Sequence, residues 1–439
     1  MTAVATGRVR SLPFLRALDA RDFRLLWTSE AISVVGDQFH FVALSWLVIS
    51  LTGSGLALGA VLIAIAVPRA LLLLPFGVVA DRRSSRGLML TAHLIRGAVV
   101  GAIAGLVLTG AATLPLLALL GALFGAADAL YLPAQQAFMP RTLDADRLPS
   151  GNAILQGTMQ LASIAGPPLA GAVIVVTSTG AAFAVDAISF LLAAIVIAMI
   201  GSVRPGSPAV PDDPTAPAPS AEAHEPFLAA IATGIRYVLA DTALRTTMLI
   251  ALVLNFALNG PAAVGLPWLA NHRFDAGPAG LGIMAAALAA GALAGVIVAG
   301  SVSVARPGRL LLGAVVLTGI GSLGIGLLPT LPAVVLALAV IGIAIGYANI
   351  VAISWIQARA DPSMIGRVMS LVMFMGVGIT PLSLALSGWL VDVNATALYV
   401  GAGILILVTA AFAVGVRFVE QFDAARVTPS TAPDPAPGR

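Results

Sequence analysis

GLALGAVLIAIAVPRALLLLPFGVVADRRSSRGLMLTAHLIRGAVVGAIAGLVLT (Gly55–Thr109) decides the fold. Two apolar runs, 55–80 and 88–109, flank a polar turn that carries Arg82, Arg83 and Arg86. Each run is long enough to cross a hydrocarbon core of about 30 Å as a helix. The arginines between them mark the side on which the chain turns back, because short cytoplasmic loops collect positive charge.

The same alternation runs along the chain. Apolar segments are expected at 24–50, 55–80, 88–109, 113–138, 151–176 and 181–201, and again at 245–270, 279–304, 309–328, 332–358, 367–391 and 397–416. With the N-terminus inside, 20 of the 23 arginines fall on cytoplasmic segments, Arg273 falls outside, and Arg69 and Arg96 lie within spans. This distribution supports an even number of spans with both termini cytoplasmic. Of the 439 residues, 59% are hydrophobic and only 10% charged, against about 25% charged in soluble domains. The expected class is an all-α polytopic membrane protein of twelve transmembrane helices.

The domain plan follows from the breaks. Residues 1–201 form a six-helix bundle led by a cytoplasmic arm that lacks the features of a cleaved signal peptide. Residues 202–226, rich in proline, form a disordered cytoplasmic linker. Residues 227–423 form a second bundle led by an amphipathic helix, FLAAIATGIRYVLAD (Phe227–Asp241), and 424–439 form a disordered tail. Weak repeats relate the halves. PRTLDADRLPSGNAI before span 5 is echoed by ARADPSMIGRVMSL before span 11, and Gly166-Pro167 by Thr380-Pro381. Internal repeats of this kind mark transporters built from two related halves.

Several chemistries are excluded. There is no cysteine and no lysine, so the chain has no disulfide, no thiolate and no P-loop lysine. The four histidines, at 40, 93, 224 and 272, form no zinc motif. No metal and no cofactor are expected. The net charge of +3 is explained by topology, and no nucleic-acid partner is expected.

Ionisable residues deep in a span are expensive and therefore candidates for function. Asp37 lies 13 residues beyond Arg24 and Asp128 13 residues before Arg141, each about 20 Å deep at 1.5 Å per residue. In span 1, Glu30, Ser33, Asp37 and His40 share a face, and in span 4 so do Asp128, Tyr131 and Gln135. Asn255 and Asn259 in span 7, with Tyr347 and Asn349 in span 10, supply neutral polar groups in the second half. Desolvation penalises a charged carboxylate, so Asp37 and Asp128 are expected to carry protons, with Glu30 as an inner relay. His40, Tyr131, Gln135, Asn255, Asn259, Tyr347 and Asn349 are expected to contact substrate. Arg69 is the expected counter-charge, to Asp37 or Asp128, and a tight pair would weaken that acid as a proton carrier. Arg96 and His93 in span 3 are read as a shallower packing pair, and Asp186 in span 6 as structural.

Three stretches carry a resemblance. GVVADRRSSR (Gly77–Arg86) matches the loop between spans 2 and 3 of the major facilitator superfamily in its glycine, aspartate and basic residues. ASIAGPPLAG (Ala162–Gly171) is similar to the span 5 pattern of proton-coupled drug antiporters, with Ala162 and Ala170 in place of glycine. WTSEAISVVGDQFHFVALSWLV (Trp27–Val48) resembles the macrolide and enterobactin exporter branch. The resemblance implies a major facilitator fold with a cytoplasmic gate of Gly77, Asp81, Arg82, Arg86 and Arg367. In it Asp81 would face the N-terminus of span 11, and Arg82 and Arg86 would reach acids such as Asp144 or Asp146. Gly77 would let span 2 approach a neighbour closely. Gly166, Pro167 and Gly171 would bend span 5 and thin its packing face.

The function expected is export of an amphipathic small molecule, a drug or siderophore-like metabolite, in exchange for protons by alternating access. The protein is expected to act as a monomer in a prokaryotic inner membrane and not as an enzyme. A facilitator or importer of a metabolite is the rival within transport. A lipid scramblase or membrane-embedded enzyme is the rival of another class, and the loops hold no nucleophile or metal cluster to support it.

Overall fold

The computed structural model describes residues 13–201, 227–301, 306–361 and 364–424. Helices account for almost all of it. They are α1 (Arg21–Thr52), α2 (Gly55–Arg82), α3 (Ser85–Leu108), α4 (Leu114–Phe138), α5 (Leu148–Val176) and α6 (Thr179–Ala198). After the linker come α7 (Phe227–Ala240), α8 (Thr242–Arg273), α9 (Gly277–Ser301), α10 (Pro307–Leu327) and α11 (Leu331–Arg359). The last are α12 (Ile365–Gly378), α13 (Thr380–Gly415) and the short α14 (Phe418–Ala424).

Among the described residues eleven helical stretches are long and apolar enough to cross a membrane, and one of them, Ile365–Gly415, has 51 residues. At 1.5 Å per residue that stretch is more than twice the ~30 Å of a hydrocarbon core. It breaks at Asn394, whose φ of −162° and ψ of 102° are non-helical, so it is long enough for two crossings. Among the described residues a helix runs through each expected span, the eighth being described to Ser301. The expected linker and tail fall largely outside the described residues, although the chain runs in helix to Ala424.

The punctuation follows local chemistry. Gly53 ends α1 with φ of +64°, and Ser54 then caps α2 by accepting from the Ala57 amide at 3.2 Å. Ser84 and Ser178 cap α3 and α6 in the same way. The helix α8 is less regular. It contains two π-turns, Pro261–Gly265 and Leu269–Arg273, and at the first the Gly260 amide donates to Ser383 Oγ at 2.8 Å.

The helices pack as two compact units. One gathers the described residues of 1–220 with 260–289 and 381–395, and the other those of 221–259, 290–380 and 396–439. Neither unit coincides with one half of the sequence. In the first unit α2 packs on α4, α3 on α4 and α6, and α1 on α5 and α6. In the second, α10 packs on α11, and Trp355 stacks on Phe422 of α14 at 4.4 Å. There α7 lies on α12, with Gly234 against Arg367 and Leu371.

A common device appears in both halves of the chain. In α4, Gly125 lies against the Ile65 carbonyl of α2, and in α9, Gly291 and Gly295 lie against the carbonyls of Ala339 and Ile343 of α11. Spans 2 and 4 thus approach as spans 8 and 10 do, through glycines that let backbones touch. Gly125→Val is expected to lower detergent thermal stability by about 1–3 kcal/mol or more, the range for overpacking a tight seam. Gly105→Ala, which meets nothing within 4 Å, is the matched control and should leave the melting temperature unchanged or slightly raised.

Candidate functional site

The first unit holds a chain of charges in its interior. On α1, Glu30 and Asp37 are seven residues apart, two turns, and so share a face. α3 brings Arg96 to that face, α4 brings Asp128 and Tyr131, and α2 brings Arg69. Arg96 sits at the centre. Its Nη2 donates to Asp37 Oδ1 at 2.8 Å and lies 3.4 Å from Asp128 Oδ1. Arg69 Nε lies 3.0 Å from Asp128 Oδ2. The order is therefore Arg69, Asp128, Arg96, Asp37.

Arg96 is also enclosed by aromatic rings. Its guanidinium lies 4.3 Å from the ring centre of Phe190, 5.1 Å from Phe124 and 5.4 Å from Tyr131. The side chain is 4% exposed. A cation so buried is tolerable only with carboxylate partners and π faces around it. Glu30, also buried, accepts a hydrogen bond from the Tyr131 hydroxyl. Among the described residues no guanidinium lies within ion-pair distance of Glu30. His93 fills the space behind, 4.6 Å from Tyr131 ring to ring and 3.5 Å from Ser29 Oγ.

These positions amend the expectations. Arg69 takes Asp128 as its partner. Arg96 is no shallow packing residue: it bridges both aspartates, because a long side chain reaches along the helix to a carboxylate that lies deeper. Tyr131 contacts Glu30, and Gln135 lies partly exposed one turn further along α4. His40 does not share the open polar surface. It is buried, stacked on Phe124 at 4.5 Å, with Nδ1 3.3 Å from Asp186 Oδ2. Asp186 is fully buried on α6, and Gly36 of α1 leaves room for it.

In the second unit, Asn255 donates to the Ala251 carbonyl at 2.9 Å, and Asn259 lies 3.4 Å from both Asn255 Oδ1 and Thr380 Oγ1. Tyr347 is buried, whereas Asn349 is exposed. Two residues apart on a helix, they point in opposed directions, so the two expected substrate contacts lie on different faces of α11.

The expected gate is only partly described. The side chain of Asp81 lies outside the described residues, and so does its expected contact with span 11. Arg86 does not reach Asp144 or Asp146. It donates to the carbonyls of Ile197 at 3.2 Å and Ala198 at 2.6 Å, capping the C-terminus of α6, where unpaired carbonyls attract a cation. Arg82 is exposed, and Asp144 lies 3.8 Å from Arg147. Arg367 lies 3.8 Å from the Met364 sulfur. Gly77 meets nothing within 4 Å, so the close approaches of α2 are made elsewhere.

One of those approaches involves a residue that the sequence reading does not single out. Asp392, on α13, accepts from Ser54 Oγ at 2.7 Å and from the amides of Gly55 at 2.6 Å and Leu56 at 3.0 Å. A carboxylate on the first amides of a helix is held by hydrogen bonds and by the dipole. Beside it, Gly55 and Gly59 of α2 lie against Val391, Leu384 and Gly388. The span 5 pattern takes part in a similar seam. Gly171 of α5 lies against Pro278 and Ala279 of α9, and Gly282 against the Pro167 carbonyl. Gly166 accommodates Gln38, and Gln160 Nε2 donates to the Ala289 carbonyl at 2.9 Å. The Asp392 and Gly171 contacts lie near the ends of their spans, whereas the Gln38 and Gln160 contacts lie nearer the middle.

Comparison with known proteins agrees with the fold. The chain is 27% identical over 379 residues to the multidrug efflux pump Tap of Mycobacterium tuberculosis, covering 84% of this chain and 86% of that one. It is 26% identical over 366 residues to the pump of the same name from Mycolicibacterium fortuitum, covering 81% and 86%. Among solved structures it is similar to the POT family transporter PepTSo, with a TM-score of 0.69 at 14% identity over 92% of this chain and 99% of that one. The nucleoside transporter NupG gives a TM-score of 0.62 at 13% identity over 93% and 100%. The model of the Major Facilitator Superfamily matches residues 26–380. With helices throughout, membrane-crossing lengths and this match over most of its length, the chain belongs to the Major Facilitator Superfamily and is a transporter rather than an enzyme.

Proposed function

We propose that the protein exports amphipathic small molecules, drugs or drug-like metabolites, from a bacterial cytoplasm in exchange for protons. It does so by alternating access, acting as a monomer in the inner membrane with both termini inside. The observation that carries this reading is the buried Arg96, which ties Asp37 and Asp128 together deep in the first unit. The similarity to pumps named for multidrug efflux supports the direction of transport.

Counting charges suggests how a proton takes part. Around Arg96, with Asp186 paired separately to His40, three carboxyl groups (Glu30, Asp37 and Asp128) face two guanidinium groups (Arg69 and Arg96). One proton balances the set, and an unbalanced charge at this depth costs several kcal/mol. Asp128 is committed to two guanidiniums, Asp37 to one and Glu30 to none. The proton therefore travels on Asp37 and Glu30, while Asp128 serves as the fixed anchor of Arg69 and Arg96. This shifts the carrier role from Asp128 toward Glu30. Substrate arriving beside Asp37 competes with the proton, and that competition couples the two fluxes.

The test is dye efflux into inverted vesicles with an imposed proton gradient. Asp37→Asn and Glu30→Gln are each expected to reduce gradient-driven transport by an order of magnitude or more. Substrate-for-substrate exchange, which moves no net proton, should persist in Glu30→Gln. Undiminished gradient-driven transport in both variants removes the proton carriers from this reading.

A further inference from the structure

We propose that the exposed edge of the charge chain is an amphoteric docking site, so that the preferred substrates carry a cationic and an anionic group together. The inference rests on the transport reading above and names the substrate class for the same region. Its basis is which members of the chain are buried and which are open. The two inner members are enclosed: Arg96 is 4% exposed and Asp128 16%. The two ends are more accessible: Arg69 is 48% exposed and Asp37, partly buried, 32%. The ends have opposite sign.

Each end also has unused capacity. Arg69 meets Asp128 through Nε, which leaves the terminal nitrogens of its planar fork for a second carboxylate or phosphate. Asp37 meets Arg96 through Oδ1, which leaves Oδ2 for an ammonium or other donor. A guanidinium this deep in a span and half exposed cannot face acyl chains. The edge therefore opens on water, where a solute can reach it.

The physics selects among ligands. A simple cation placed on Asp37 sits near two guanidiniums, and a simple anion placed on Arg69 sits near two carboxylates. Each engages one end of the chain and leaves the other to water. A zwitterion places a charge of the right sign on each end and so makes a charge-assisted contact at both. Rigid amphipathic molecules with separated charges, and with an apolar body for the neighbouring surface, fit this arrangement best.

The experiment uses the purified full chain and a matched pair of dyes, zwitterionic rhodamine B and its cationic ethyl ester, which differ only at the carboxylate. Binding is read by fluorescence anisotropy. The zwitterion is expected to bind about tenfold or more tightly than the ester, the effect of one charge-assisted contact of roughly 1.4 kcal/mol. Arg69→Gln should abolish that preference and Arg69→Lys should keep part of it. Asp128 retains Arg96 in both variants, so the fold has a remaining partner for it. If the ester binds as well as rhodamine B, if neither dye binds, or if Arg69→Gln keeps the full preference, the inference is overturned. Efflux separates this result from the transport reading. Gradient-driven export of the ester without preferential zwitterion binding would sink the substrate class alone. Preferential binding without gradient-driven movement of either dye would keep the docking site and sink the export reading.

Discussion

The double variant Ser54→Cys/Asp392→Cys, oxidised to a disulfide, should lose nearly all transport and regain it on reduction. Ser54 Oγ and Asp392 Oδ2 are 2.7 Å apart, so thiols on these short side chains come within reach of each other after small rotations. The native chain has no cysteine, so only the introduced pair can be oxidised. The bridge joins α2 to α13 where the α2 amides now meet the Asp392 carboxylate. The proposed alternating access requires this end to open once per cycle, and hydrogen bonds can break where a covalent bond cannot. Each single variant, treated with the same oxidant, should keep its transport, which separates locking from loss of the cap. Full transport with a complete bridge would mean that α2 and α13 never part at this point.

Much of this arrangement is legible in the sequence, for reasons that differ by residue. The spans are legible because apolar length and arginine placement answer directly to membrane thickness and topology. The pairing of Arg69 with an aspartate is legible too, because a guanidinium at that depth demands a carboxylate and span depth limits the choice to Asp37 or Asp128. The central role of Arg96 is not. Counting residues from the nearest loop gives the depth of a Cα atom, whereas the guanidinium lies several bonds away and can run along the helix. Gly77 shows a different limit. Its motif marks the loop, but motif spacing does not reveal which neighbour a glycine faces, and here it faces open space while Gly55 and Gly59 make the contacts. Asp392 was hidden because its partners, the amides at the start of α2, lie more than 330 residues away in sequence and carry no side-chain signature.

Removing Arg96 should have the largest effect on stability of any single change in the first unit. Arg96→Met keeps much of the apolar stem against Phe124, Phe190 and Tyr131 but leaves Asp37 without its guanidinium and Asp128 with Arg69 alone. Breaking a buried ion pair by deleting one partner costs about 3–5 kcal/mol, because a stranded carboxylate is worse than none. Protein yield and melting temperature in detergent should both fall sharply, and transport should vanish. Adding Asp37→Asn and Asp128→Asn to Arg96→Met should restore part of the melting temperature, since neutral amides leave no unpaired carboxylate beside the rings, while Arg69, which loses Asp128, is the half-exposed member of the chain. Transport should stay absent in the triple variant, because the groups that exchange the proton and hold the substrate are gone. The separation of the two readouts is what distinguishes a functional charge network from one that only holds helices together. A triple variant that recovers both stability and gradient-driven transport would show the network to be structural. A single Arg96→Met variant as stable as the wild type would show that the aspartates never depended on it.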